Sequence, residues 1–80
     1  MTYPAQVFAA LANPDRLALV QALHDGDSEA GPRPGLSIVD LAMRTGLSRF
    51  SAFRHLAILR EAHIVEANTV GNRTLHVLDP

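Results

Sequence analysis

Gly46 separates two capped helical runs, and no other feature limits the fold of this chain as closely. Before it, Ser37-Ile38-Val39-Asp40-Leu41-Ala42-Met43-Arg44-Thr45 reads as a short helix with Ser37 as N-cap and Asp40 in the capping-box position. Its buried side is expected to be Ile38, Leu41 and Ala42. A glycine at 46 adopts the left-handed conformation that other residues resist, so the chain turns within Thr45-Gly46-Leu47 and restarts at Ser48. From Ser48 to Ala62 a second helix follows, with Ala52, Leu56 and Leu59 at i, i+4 and i+7 on one face. Helix, short glycine turn, helix is the helix-turn-helix pattern.

On a wheel of 100° per residue the core stripe of this second helix centres near Leu56, with Phe53 on its flank and Phe50 almost opposite. Arg49, Phe50, Phe53 and Arg54 are therefore expected to face outward, where arginine suits phosphates or the acceptor edge of guanine. Read by itself, the segment is equally a solvated amphipathic helix. Its neighbours decide between the two: Ile64 to Val70 and Arg73 to Leu78 are β-prone runs around Gly71-Asn72, the composition of a hairpin. A hairpin directly after the second helix makes the motif winged.

Pro4 to Ala12 reads as a first helix with Val7, Phe8 and Leu11 as its apolar side. Asn13-Pro14 starts another, since asparagine caps well and proline at the first helical position sacrifices no hydrogen bond. That helix is expected to run to about Asp25, burying Leu17, Val20 and Leu23, before a loop from Gly26 to Gly35 rich in glycine and proline. The expected architecture is a single domain over residues 1–80, mainly α with a β-hairpin (α+β): about four helices and a two-stranded wing.

In order and spacing the chain resembles the ArsR-type winged helix-turn-helix regulators. The residues that carry the resemblance are Phe8-Ala9-Ala10-Leu11-Ala12-Asn13-Pro14-Asp15-Arg16-Leu17, Val39-Asp40-Leu41-Ala42, Gly46-Leu47-Ser48, Arg54-His55-Leu56, Leu59-Arg60-Glu61-Ala62 and Gly71. The resemblance implies a bacterial or archaeal transcriptional regulator, commonly a repressor, usually a homodimer on double-stranded operator DNA and often released by a metal or another small effector; for this chain the effector expected is a small molecule or a protein. Its DNA contacts are expected from Ser48, Arg49, Phe50, Ser51, Phe53, Arg54 and His55, with Arg44 beside them and Asn72 and Arg73 in the wing. His55 has a helix-packing role as its alternative. The sequence stops at Pro80, just after the wing, so the dimer is expected to rest on the first helix, through Tyr3, Val7, Ala10 and Leu11.

Net charge is −1, but its distribution is uneven. Between residues 41 and 60 lie Arg44, Arg49, Arg54 and Arg60 and no acid, a local basic surface on the helix-turn-helix. Every basic residue is arginine, a bidentate donor.

There is no cysteine, which leaves neither a disulfide framework nor a thiolate metal site and suits a reducing cytoplasm. The family's cysteine-bearing motif would fall at Leu36-Ser37-Ile38-Val39-Asp40, which offers no soft ligand. His24, His55, His63 and His76 show no ligand spacing, and His63 stands where the family usually has a glycine at a helix C-terminus, so a cap or dipole role is expected there. Neither a metal nor another cofactor is expected. The serines are explained by capping or DNA contact and the acids are scattered, which argues against an enzyme. No apolar run is long enough for a membrane helix or a signal-peptide core. The alternative to DNA binding is a winged-helix interaction module whose Phe50 and Phe53 face a protein.

Overall fold

In a computed structural model the chain is described over residues 4–30 and 35–79, with only the backbone of 27–30. Its elements in order are α1 (Pro4–Leu11), α2 (Pro14–Ala30), α3 (Ile38–Thr45), α4 (Arg49–Glu61), β1 (Val65–Val70) and β2 (Arg73–Leu78).

Local sequence chemistry sets the boundaries. Asn13 accepts the N–H groups of Asp15 and Arg16 at 2.9 and 3.1 Å, capping α2. Ser37 and Asp40 form a reciprocal capping box at the start of α3, and Gly46 ends it with φ 77°. At the far end of α4, His63 takes the left-handed position of a Schellman motif at φ 58°. His63 N–H donates to Arg60 O at 3.0 Å and Ile64 N–H to Leu59 O at 2.9 Å. The cap role expected of His63 is therefore its structural one.

The core brings α2, α3 and α4 together through Leu19, Leu23, Leu41, Leu56 and Leu59, the largest fully buried side chains. Each contributes about 1.5–3 kcal/mol relative to exposure, so these few residues outweigh any single surface contact.

Two expectations about α2 need correction. Leu17 is 51% exposed, and the buried residues are Leu19, Ala22 and Leu23. Val20 only borders the core. The helix also continues past Asp25 through Gly26 to Ala30, into the stretch expected to be loop. Gly26 is buried there, and a Cβ on it would stand 3.0 Å from the Leu36 side chain, so the helix passes close to the next segment at a residue without a side chain. The remainder of the expected loop, residues 31–34, lies outside the described residues.

The hairpin is antiparallel, with Val65 opposite Leu78 and Val70 opposite Arg73. Gly71 at φ 65° occupies the first central position of its two-residue turn, the place a type II′ turn reserves for glycine. Leu36 adds a short third rung: its N–H donates to His76 O at 3.0 Å and its carbonyl accepts from His76 N–H at 2.8 Å.

His76, a residue the sequence did not single out for structure, is 5% exposed. Its Nδ1 lies 3.1 Å from Leu36 O, and because a carbonyl only accepts, the ring hydrogen sits on Nδ1. Burial holds its pKa below the ordinary imidazole value; the Leu36 hydrogen bond pulls the other way and the Arg60 charge lowers it further. The unfolded chain therefore binds the proton more readily than the folded one. The contribution of His76 to stability is complete above its unfolded pKa of about 6.5 and declines as pH falls below that, by at most about 1.4 kcal/mol per unit. Following the His76 ring by NMR as pH falls from 7.5 to 5 should show it titrating below a model imidazole. Titration at the ordinary imidazole value would remove this contribution, and titration above it would reverse its sign.

Candidate nucleic-acid interface

The surface of interest is built by the turn between α3 and α4. Thr45 closes α3 by donating its hydroxyl to Leu41 O at 2.7 Å and accepting Leu47 N–H at 3.3 Å. Ser48, extended at φ −67° and ψ 158°, accepts Ser51 N–H at 3.0 Å and so fixes the first turn of α4.

With Ala52, Leu56 and Leu59 buried, the helix has only one way to face. Arg49, Phe50, Phe53 and Arg54 are exposed, as the helical wheel requires, with Phe50 at 82% and Phe53 at 61%. Two large aromatic rings held in water beside two guanidinium groups need a partner to account for them. Ser48 is exposed and Ser51 half-buried on the same first turn. Arg44, at the end of α3, and Asn72 and Arg73, at the tip of the hairpin, are exposed as well. The apolar residues Val39 and Met43 on α3 are also exposed, which the sequence pattern did not flag.

His55 does not join this face. It is half-buried against α2, where Arg16 Nη1 donates to its Nδ1 at 3.2 Å and its Nε2 lies 3.6 Å from Asp15 Oδ2. Arg16 also donates to the Ala9 and Ala10 carbonyls at the end of α1. The Arg16–His55 pair thus ties α1, α2 and α4 together, and of the two roles expected for His55 the packing role is the one its contacts describe. Arg16 belongs to the scaffold for the same reason.

The residues expected to join two copies fare unevenly. Ala10 is buried in the core at 4% exposure and is not available to a partner. Val7 is half-buried, Leu11 packs against the core, and Tyr3 lies outside the described residues. Phe8, assigned from the sequence to the apolar side of α1, is 70% exposed and is the large apolar group that α1 offers to solvent.

Among the described residues no group of three or more histidines and acids is placed to hold a metal ion. Nor is any helix among them long and apolar enough to cross a membrane.

No family model matches the chain. It is 26% identical to an uncharacterized HTH-type transcriptional regulator of Bacillus subtilis (strain 168), YbzH, over 95% of this chain and 83% of that protein. Among solved structures it is similar to the homodimeric winged helix-turn-helix DNA-binding domain of Mb0332 from Mycobacterium bovis, described as a possible ArsR-family transcriptional regulator. That match has a TM-score of 0.80 and 28% identity, over 95% of this chain and 63% of that one. The transcriptional repressor BigR from Xylella fastidiosa is matched with a TM-score of 0.76 and 27% identity, over 92% of this chain and 65% of that one. The chain thus spans somewhat under two thirds of these two solved neighbours. Four helices followed by an antiparallel hairpin are the winged helix-turn-helix fold, and the structural neighbours of this chain are transcriptional regulators.

Proposed function

We propose that this chain, a winged helix-turn-helix protein akin to the ArsR-type regulators, is a transcriptional regulator that binds double-stranded DNA and acts as a repressor. The observation that carries this reading is the outward face of α4: Arg49, Phe50, Phe53 and Arg54 exposed on a Ser48-capped helix whose opposite side is locked into the core. In this reading the first turns of α4 lie in the major groove, with the arginines on guanine edges or phosphates and Ser48 and Ser51 beside the backbone. Arg44 adds charge next to the helix, and Asn72 and Arg73 bring the hairpin tip to neighbouring phosphates.

The protein works as a homodimer. The resemblance to a homodimeric domain and the exposed Phe8 on α1, flanked by Val7 and Leu11, support that assembly. Two copies reading half-sites about one helical turn apart multiply a weak single contact into a useful affinity. Residence in the cytoplasm follows from such a role. Release by an effector is what the resemblance to the ArsR-type regulators implies.

Fluorescence anisotropy with duplexes carrying one or two half-sites, selected from a random pool, tests the reading. Binding should weaken steeply with salt, because each neutralised phosphate releases counterions, and should tighten when a second half-site is placed one turn away. No binding to any duplex at low salt would overturn it.

Phe50 separates DNA binding from docking of a protein. Its side chain is 82% exposed, so Phe50→Ala should leave Tm almost unchanged while weakening specific DNA binding more than non-specific binding, as loss of an apolar contact to a thymine methyl does. If the face docks a protein instead, the same change leaves DNA affinity intact.

A further inference from the structure

Between α3, α4 and β2 lies a cavity of about 280 Å³ that the DNA-binding reading does not use. Ile38, Phe53, Leu56 and Ala57 give it apolar walls. Its polar groups are few and of contrasting kinds. Arg60 stands exposed on the last turn of α4, with no ion pair among the described residues. Thr74 borders it from the hairpin, and His76, only 5% exposed, lines its interior.

The state of His76 defines what the cavity asks for. With the ring hydrogen committed to Leu36 O through Nδ1, Nε2 is left as a hydrogen-bond acceptor. No partner for Nε2 exists among the described residues. Yet among the described residues no fully buried side-chain nitrogen or oxygen is left unsatisfied, so Nε2 is not sealed inside the protein. The open space that His76 borders is this cavity. An acceptor that opens onto the cavity with no protein donor is one that a bound molecule can satisfy in place of water.

The geometry points to a binding site for a small hydroxy-aromatic acid. A flat ring fits the space between Phe53 and Ile38, a hydroxyl donates to His76 Nε2, and a carboxylate pairs with Arg60. Thr74 is available to either polar group. A cavity at the lower edge of ligand-pocket sizes admits roughly ten non-hydrogen atoms. Such a ligand has a Kd on the order of 0.1–1 mM. Glu61, Glu66 and Asp79 border a neighbouring cavity that Arg60 also lines, and no ion pair joins any of them to Arg60 among the described residues. The site differs from the surface proposed for DNA, although Phe53 belongs to both.

The test uses the free chain with no DNA present, so its outcome is independent of the DNA reading. Titrating 3- and 4-hydroxybenzoate into the labelled protein should produce saturable NMR shifts at Ile38, Phe53, Ala57, Arg60, Thr74 and His76 for at least one isomer. The His76 Nε2 nitrogen should shift with them. Benzoate, lacking the donor, and hydroxybenzyl alcohol, lacking the charge, should each bind about tenfold more weakly. Arg60→Gln should weaken binding about tenfold, and Ala57→Trp, which fills the cavity from an exposed position, should abolish it. Absence of saturable shifts with either isomer up to about 10 mM overturns the site. Equal binding by the control compounds, or by both variants, overturns it as well.

Discussion

Gly35→Ala is expected to lower Tm by about 10 °C or more. Gly35 sits at φ 115°, and a Cβ there would stand 2.3 Å from His76 O and 2.9 Å from His76 C. These are backbone atoms, not the end of a flexible side chain, so the conflict is relieved only by separating the two segments. Separation breaks both Leu36–His76 backbone hydrogen bonds and removes the acceptor from His76 Nδ1. At about 0.5–1.5 kcal/mol for each of the three hydrogen bonds plus about 1–3 kcal/mol for the forced backbone conformation, the total is about 2.5–7.5 kcal/mol. A small domain has about 5–15 kcal/mol of stability in all. Gly71→Ala is the control: its φ is 65°, but nothing lies within 4 Å of a Cβ there, so it bears only the conformational cost of about 1–2 kcal/mol. Circular-dichroism melts of the two variants check the argument, which fails if they melt within about 5 °C of each other.

Arg49→Ala combined with Arg54→Ala is expected to reduce specific DNA affinity by about 2–6 kcal/mol and to lower the salt slope by up to about two. Both side chains are exposed on α4, so the melting curve should scarcely move. Arg16→Ala should show the opposite pattern. Its guanidinium holds the last carbonyls of α1 and the ring of His55, so its removal lowers stability while the folded fraction keeps its affinity. A double variant that binds operator DNA as tightly as the parent would place the DNA surface elsewhere on the molecule.

What the sequence made legible was local chemistry. The Ser37–Asp40 box, the left-handed Gly46, the Ser48 cap and the Asn13 cap each depend on residues within a few positions of one another, and each is present. The outward placement of Arg49, Phe50, Phe53 and Arg54 followed because the α4 core stripe is unambiguous. In α2 it is not: Leu17, Leu19, Val20 and Leu23 spread around the helix, and what selects Leu19 and Leu23 over the others is that their face also carries Ala22 and Gly26, the latter passing close to Leu36. Hydropathy carries no such information. The same limit hid the continuation of α2 through Gly26, whose flanking composition reads as loop. His76 was missed because its burial depends on Leu36, 40 positions away, and no strand pattern announces such a rung. Ala10 was assigned to a partner surface although α1 turns it inward, because an alanine leaves no strong mark on a helical wheel.

The hairpin is clamped at one end and free at the other, and that asymmetry has a mechanical consequence. Near its base the Leu36–His76 rung ties it to the segment before α3, and the bond from Asp79 N–H to Ile64 O, at 2.8 Å, closes its own ladder where β1 leaves α4. From Asn68 to Thr74 every residue is exposed. Such a beam behaves as a cantilever: its root keeps a fixed angle to α4, while its tip bends with little resistance and its amides exchange with solvent well before those at the root. A groove of varying width is then followed by the tip alone, and the entropy lost on docking is confined to a few residues, at about 1–2 kcal/mol each.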